Sequence, residues 1–449
     1  MKRLKISLIA ALSVVIIGLC GILAYGVAGG DAFGNDMRQS YRNAQLVLEE
    51  EIPAGGIDSI SILYGMNDND IYLYESEKDT IIVREYGSLE MSEKELSTIK
   101  VNGNRLEVRG ARRSDSSSGF HLFYSGGFYN RHYAEVYLPR SYQGELLLET
   151  SSGEIASEMD IVLGKDCSVS SSSGDISFSS ITADNVSVDT ASGYVKMENI
   201  NTNEGSSAGE ISVRTSSGDV KLEELTGSTD IECSSGNVTV ETIMGDAQVR
   251  TSSGNVDIKS LTGEMKTESS SGYLSIGTLT GNAQFKTTSG DIEVRHLDGD
   301  VQAMTASGNV QIPEGSGDRA ISTSSGDIMA EGTEGSFQIS TQSGYVRIGL
   351  EKGEGRIETS SGDVQLNLTE LTGMLNVDCS SGYVDIRLAD ENEFEFTAST
   401  SSGDIVTFFD KNLIFSSRRN HAQGTYGANE QGNRIEIQTT SGDVRISEY

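Results

Sequence analysis

The chain reads TSSGDV at residues 215–220, and close copies follow: CSSGNV from 233, TSSGNV from 251, SSSGYL from 269 and TTSGDI from 287. A serine beside a glycine and a carboxylate fits a nucleophile, a phosphate cradle, a calcium loop or a structural corner, and spacing separates these readings. The glycine of the phrase falls at 218, 236, 254, 272, 290, 308, 326, 344 and 362, eight consecutive 18-residue steps. A second glycine lies halfway through each step, at 227, 245, 263, 281, 299, 317, 335 and 353. The unit is therefore an 18-residue coil of two 9-residue arcs, and a fixed period of this kind marks a stacked-repeat architecture.

Between the glycines the apolar residues alternate: Val220 and Leu222, Val238 and Val240, Val256 and Ile258, then Ile231 and Cys233, Val249 and Thr251, Phe285 and Thr287. A period of two is the mark of a strand with one buried face. Cys233 and Cys379 stand where other coils carry threonine, so both read as small residues turned into the core. The intervening Lys221, Glu223, Asp230, Glu232, Gln248 and Arg250 face water. One coil cannot hide its own apolar stripe, so coils must stack on each other. The expected fold is all-β, a right-handed parallel β-solenoid (β-helix) built of 18-residue coils. A left-handed hexapeptide helix has the same coil length but needs an apolar corner at every sixth position, and the buried offsets after glycine (2, 4, 7, 13) do not repeat with six. At about 4.8 Å per coil the regular block is a rod of about 38 Å and the whole array about 70 Å.

The phrase persists with looser spacing at 150, 171, 190, 379, 400 and 439, fifteen occurrences in all. Alternating runs at IDSISILY (from 57), DIYLYE (from 70), TIIVREY (from 80), RLEVRG (from 105) and AEVYLP (from 134) open and cap the stack. The N-terminus begins MKRLK and continues into an apolar run with no charge until Asp31, long enough to cross a bilayer as one helix. Lys2, Arg3 and Lys5 before it leave the rest of the chain outside the cytoplasm. A signal peptide cleaved after Ala28 is the rival reading, and Cys20 faintly suggests a lipoprotein site, against which stands the large Leu19 before it. The expected organisation is a cytoplasmic N-terminus (1–5), a transmembrane anchor preceding the solenoid (6–28), a tether (29–54), strands and cap of the solenoid (55–149), and the repeat domain (150–449) with an irregular loop at 410–432.

The formal charge of −32, from 66 acidic against 34 basic side chains, repels nucleic acid, teichoic-type polymers and anionic lipid headgroups. The scattered Cys167, Cys233 and Cys379 form neither a disulfide framework nor a metal knuckle. A nucleophilic serine needs a base oriented by a third group, and His121, His132, His296 and His421 follow no register with the phrase. A phosphate cradle opens a helix, whereas this phrase joins two strands. Calcium β-rolls also use an 18-residue coil, but the position after the glycine alternates Asp219, Asn237, Asn255, Tyr273, Asp291, Asn309, Asp327, Tyr345, Asp363 and Tyr383, and tyrosine is no substitute for a carboxylate ligand. The corner reading explains more. Glycine permits a left-handed turn, Asp and Asn hydrogen-bond their own backbone there, and serines stacked coil on coil cap the corner amides. Expected catalytic, cofactor-binding and metal residues are none, and no cofactor is expected.

The tyrosines at 194, 273, 345 and 383 stand too far apart along the stack for one sugar platform. The aromatic stretch FHLFYSGGFYNRHYAEVYLP (120–139) reads as a hydrophobic cap, with a sharper alternative in which the hairpin around Ser125 to Gly127 projects toward a partner or a membrane surface. Arg418, Arg419 and His421 make a small basic island.

The anchor, the strands leading to Tyr137–Pro139 and the reiterated T-S-S-G-D-[IV] phrases together resemble the "putative adhesin" family of bacterial cell-envelope β-solenoid proteins, over roughly residues 55 to 449. That resemblance implies a domain of unknown function, common in Gram-positive bacteria beside cell-envelope-stress regulators, with no agreed catalytic residues. The function expected is a non-enzymatic, membrane-anchored interaction or adhesion scaffold at the envelope, linked to stress signalling. The runner-up is a self-polymerising scaffold joined through solenoid ends, and a polysaccharide-acting β-helix enzyme comes third, since it would need clustered acids and a lysine or arginine on one face of adjacent coils where the columns show only scattered charge. Expected partners are the membrane, through the N-terminal helix, and an envelope or surface protein or ligand, with self-association through solenoid ends and no nucleic acid. The expected location is the cell membrane, single-pass, with the N-terminus cytoplasmic and the solenoid extracellular.

Overall fold

The computed structural model describes residues 44–65, 68–87, 91–111, 132–203 and 209–448. Thirty-seven strands in those residues belong to one continuous sheet system, interrupted by two 3-10 turns, so the architecture is all-β. Alternation decides the wall. Val220, Leu222, Leu225, Ile231 and Cys233 of one coil are buried together, and Lys221 and Glu223 between them face outward. Parallel pairing repeats in register with an 18-residue step, as in Val220 with Val238, Val238 with Val256 and Val346 with Val364. Elsewhere the step changes, to 21 between Ile155 and Ile176, 19 between Ile176 and Val195, 25 between Val195 and Val220 and 20 between Val364 and Val384.

Two corrections to the expected fold class follow. The sheet is mixed. Antiparallel strands close both ends: Thr98–Asn102 on Arg105–Arg109, Thr80–Gly87 on Tyr133–Leu138 and Gln45–Pro53 on Thr80–Gly87 at one end, and His421–Tyr426 on Phe394–Ser402 with Leu413–Phe415 outside it at the other. The last coil of a parallel stack exposes a row of unpaired amides and carbonyls, and short reversed strands cover it. The second correction concerns the preceding transmembrane helix: no helix among the described residues is long and apolar enough to cross a membrane. Residues 6–28, on which that expectation fell, lie outside the described residues, as does the hairpin around Ser125 to Gly127.

Layer order departs from chain order at both ends. The Ser59–Tyr64 strand lies between Arg105–Arg109 and Glu145–Thr150, and Asp70–Glu75 lies between Tyr133–Leu138 and Ile155–Val162. At the far end Arg434–Ser441 lies between Val364–Ser381 and Phe394–Ser402, and Val444–Glu448 lies between Val384–Leu388 and Ile405–Thr407. The first and last coils of the described chain are thus each one layer inside the end. The expected irregular loop at 410–432 is the antiparallel cover at that end, and Phe394, Phe396, Phe408, Phe409 and Tyr426 pack edge-to-face and tilted beneath it.

The three described cysteines are buried and free. Burial pushes the Cys167 thiol up to about 12 and raises those of Cys233 and Cys379. Cys233 donates to the carbonyl of Gly236 at 3.0 Å, so it occupies the place of a threonine hydroxyl. At about pH 8 the reactive thiolate is suppressed and shielded. Iodoacetamide treatment of the native chain followed by peptide mass spectrometry is expected to leave Cys167, Cys233 and Cys379 unmodified, with all three alkylated in urea. Native alkylation of Cys167 at the denatured rate would contradict this core.

Candidate functional site

The corner phrase is consumed by the wall. Thr215 accepts the Gly218 amide on its Oγ1 at 2.9 Å, as Thr251 does for Gly254, Thr287 for Gly290 and Thr305 for Gly308. Thr305 and Thr323 also donate to the carbonyls of Gly290 and Gly308, one coil back. The cap is therefore the first residue of the phrase and not its serines. The left-handed corner expected is present at Gly272, Gly344, Gly382 and Gly403, whereas glycine at 218, 236, 254, 290, 308, 326 and 362 lies outside the positive-φ region. What requires glycine there is stacking: a Cβ on Gly254 would collide with the carbonyl oxygen of Gly236, and the same collision repeats from Gly174 on Gly153 to Gly403 on Gly442. Positive φ occurs in both columns, at Gly272 (132°), Gly344 (150°) and Gly382 (151°) of the phrase as well as at Gly227 (138°) and Gly335 (148°) of the second column.

The residue after the glycine forms a ladder along the rod. Asp219 Oδ1 accepts the Asn237 amide at 2.7 Å, Asn237 Oδ1 the Asn255 amide at 3.2 Å, and Asn255 Oδ1 the Tyr273 amide at 2.9 Å. The ladder resumes from Asp291 to Asn309, Asp327 and Tyr345. The tyrosine amide donates to the coil before, but its side chain has no carbonyl-like oxygen to accept from the next, so Tyr194, Tyr273, Tyr345 and Tyr383 are where runs end. These Asx side chains serve the next coil's backbone and not their own, and a carboxylate oxygen already accepting an amide is a weaker calcium ligand. Among the described residues no group of three or more His, Cys, Asp or Glu side chains is arranged to hold a metal ion.

Two surface constellations remain. The first is a groove of about 710 Å³ floored by Gly277, with Asp257, Lys259, Glu293, Arg295 and His296 around it. It brings acids and cations together on adjacent coils, as a polysaccharide-acting site would require. Lys259 pairs with Glu241 at 2.6 Å, Arg295 with Glu293 at 3.6 Å and His296 with Asp298 at 3.1 Å, the pattern of a solvated charge ladder. The His296 hydrogen bond holds the Asp298 carboxyl below its usual range.

The second lies on the outer face of the first layers, where alternation turns Ile71, Leu73, Ala134 and Val136 inward and leaves tyrosines outside. Tyr86 and Tyr133 stack at 4.5 Å, Tyr72 meets Tyr133 edge-on at 6.0 Å, Tyr74 and Tyr137 are 5.3 Å apart, and the Arg84 guanidinium lies 4.9 Å over the Tyr137 ring. Glu135 accepts from the hydroxyls of Tyr86 and Tyr137, each at 3.0 Å, and Tyr72 donates to Glu154 at 3.1 Å. Arg84 is held by Glu49 at 2.7 Å. Burial and, next, the Glu135 charge push the Tyr74 hydroxyl up to about 12, although the residue as a whole is 42% exposed. Rings with carboxylates at their edges suit a sugar face or a cationic side chain. Of the aromatic stretch at 120–139, the described Tyr133 and Tyr137 join this patch. Tyr72, Tyr74 and Tyr86 were not singled out in the sequence, although their even spacing on alternating strands is the signal that places them outside.

The family model Toastrack DUF4097 matches residues 57–272, 242–355 and 299–447. No protein of curated function matches the chain. A solved structure, a "putative cell adhesion protein" from Clostridium sporogenes ATCC 15579, aligns over 90% of this chain and 100% of its own at 10% identity, with a TM-score of 0.15 too low to carry an argument.

Proposed function

Because the chain belongs to the Toastrack DUF4097 family, whose β-solenoid unit recurs along it, we propose that it is a non-enzymatic, adhesion-like scaffold of the cell envelope that meets its ligand through the tyrosine face of its first layers. The observation that carries this reading is the outward-facing cluster of Tyr72, Tyr74, Tyr86, Tyr133 and Tyr137 around Glu135, a group of rings with a carboxylate at its centre. The repeated Thr and Asx side chains accept backbone amides of the corners and of the next coil, and the glycines allow the coils to approach. A location outside the cytoplasm belongs to the same proposal, supported by Lys2, Arg3 and Lys5 ahead of the apolar run, and a membrane-bound regulator of envelope stress is the partner class that location would give. Polymerisation through open ends is disfavoured by the antiparallel strands that cover both.

Binding of the labelled chain to intact cells, neutral oligosaccharides and lysine-rich peptides tests the reading. Replacing Tyr74 and Tyr137 with serine is expected to weaken whichever binding is found by roughly tenfold or more, the weight of two contact aromatics, with an unchanged circular dichroism spectrum. Undiminished binding by that variant would move the site elsewhere.

A further inference from the structure

The inserted coil at the far end of the stack has a register that the solenoid does not require. Leu375 and Phe396 both pair with Ile435, and Val384 and Ile405 both pair with Val444. The layers on either side of the inserted coil are therefore one 21-residue step apart on both arcs, the step by which Ile155 and Ile176 stack directly elsewhere in this chain. Residues 394–407 are thus in register to close on 374–388 without residues 434–448 between them. The inward columns accept either arrangement, since Cys379, Thr439 and Thr400 follow one another, as do Val384, Val444 and Ile405.

Residues 434–448 occupy that slot through backbone on both edges. The Gly382 amide donates to Ser441 and the Val384 amide to Asp443, while the Gly442 amide donates to Ser402 and the Val444 amide to Asp404. Asp443 Oδ1 also accepts the Asp404 amide at 2.9 Å, a rung that the Tyr383 side chain would leave empty in the shorter stack. Recognition by main-chain pairing and alternate apolar side chains belongs to the segment and not to the chain that carries it. The stretch 427–433 that leads into the segment contains three positive-φ residues, Gly427, Asn429 and Gly432. It is latched where Glu393 Oε2 accepts the Asn429 amide at 3.0 Å and the Glu393 carbonyl accepts from Asn433 Nδ2 at 3.3 Å.

We propose that residues 434–448 form an exchangeable coil, and that the slot between layers 374–388 and 394–407 takes this segment from a second copy of the chain, giving a reciprocally swapped dimer. The face involved is internal to the stack, so it is distinct from contact between capped ends, and swapping of an identical element adds no new interface to stabilise.

Paired cysteines read the exchange directly. Asn376 and Glu436 are adjacent across the slot with both side chains partly exposed, and Cys379 is replaced by threonine, the residue of the same column at 400 and 439, to remove the native thiol nearby. A chain carrying both N376C and E436C is expected to form the disulfide within itself. A chain with N376C refolded together with a differently tagged chain with E436C is expected to give a disulfide between copies. At low occupancy the swapped fraction should rise in roughly direct proportion to chain concentration, and E393A, which removes the side-chain bond of the latch and leaves the carbonyl bond, should raise it. The proposal is overturned if the doubly substituted chain closes within itself while the mixed chains never cross-link at any concentration. It is also overturned if the doubly substituted chain fails to close, because pairing of 376 with 436 is its premise.

Discussion

Replacing Gly254 with alanine, the mildest change available, is expected to remove more than about 4 kcal/mol of stability or to prevent folding, beyond the usual range of a point substitution. The argument does not rest on backbone freedom, because Gly254 lies outside the positive-φ region. Its Cα hydrogen points at the preceding coil, and a methyl there would overlap the Gly236 carbonyl oxygen and lie 2.8 Å from the carbonyl carbon. Paired strands sit about 4.8 Å apart, and neither coil can retreat without breaking main-chain bonds along its length. Those at risk include the Val238 amide to Asn255 and the Val256 amide to Tyr273, at 2.8 and 2.9 Å. Coils contact only their neighbours, so the damage should begin locally. Hydrogen exchange at Val238 and Val256 is expected to rise toward the unfolded rate before urea unfolding is seen elsewhere. Thr251→Ala, which removes the hydroxyl capping the Gly254 amide at 3.0 Å, should cost about 1 kcal/mol. The exposed Ser252→Ala should stay within about 0.5 kcal/mol. Equal stability of the Gly254 and Ser252 variants would refute the stacked-glycine account.

This ordering of effects shows which parts of the fold a sequence reader can see. The 18-residue period was visible because stacking imposes the same inward column on every coil, so Val220, Val238 and Val256 announce themselves one after another. The thiols were legible for the same reason, Cys233 and Cys379 standing in the threonine column. The reason for each corner residue was not, because a phrase such as TSSGDV fixes residue types without saying which neighbour they face. Thr215 rather than a serine makes the cap, and Asp219 serves the next coil. Layer order was hidden for a deeper reason. TTSGDV at 439 is as good a coil as any, and a 21-residue step is compatible both with direct stacking and with an inserted layer. The tyrosine face was partly legible, since Tyr72 and Tyr74 sit two apart in an alternating run, but that Tyr86 and Tyr133 stack depends on an antiparallel pairing that no local pattern declares.

Arg319 is the position where local pattern and structure disagree most, and it sets the second large effect. It stands in the inward column between Val301 and Phe337 and is 1% exposed. Burial pulls its pKa down, yet a guanidinium keeps its proton in such settings. No carboxylate neutralises it by direct contact among the described residues; it donates through Nη1 to the Gly317 carbonyl at 2.6 Å and through Nη2 to those of Gly315 and Glu331, both at 3.2 Å. The Gly315 and Gly317 carbonyls belong to the coil that Pro313 interrupts, where the strands shrink to Val310–Ile312 and Gly315–Ser316, and the Glu331 carbonyl belongs to the next coil. A proline supplies no ladder amide, and the side chain of Arg319 brings donors to the carbonyls beside this break. Arg319→Ala is expected to cost about 3–5 kcal/mol, combining a cavity with carbonyls left without donors in the interior. Arg319→Met keeps most of the volume and loses only the donors, so about half of that loss is expected. The comparison by urea unfolding separates the two contributions. If the methionine variant matches the parent, the guanidinium is a tolerated burial and not the bond that holds this coil together, because swapping a buried charge for apolar volume is often neutral when its partners can be satisfied otherwise.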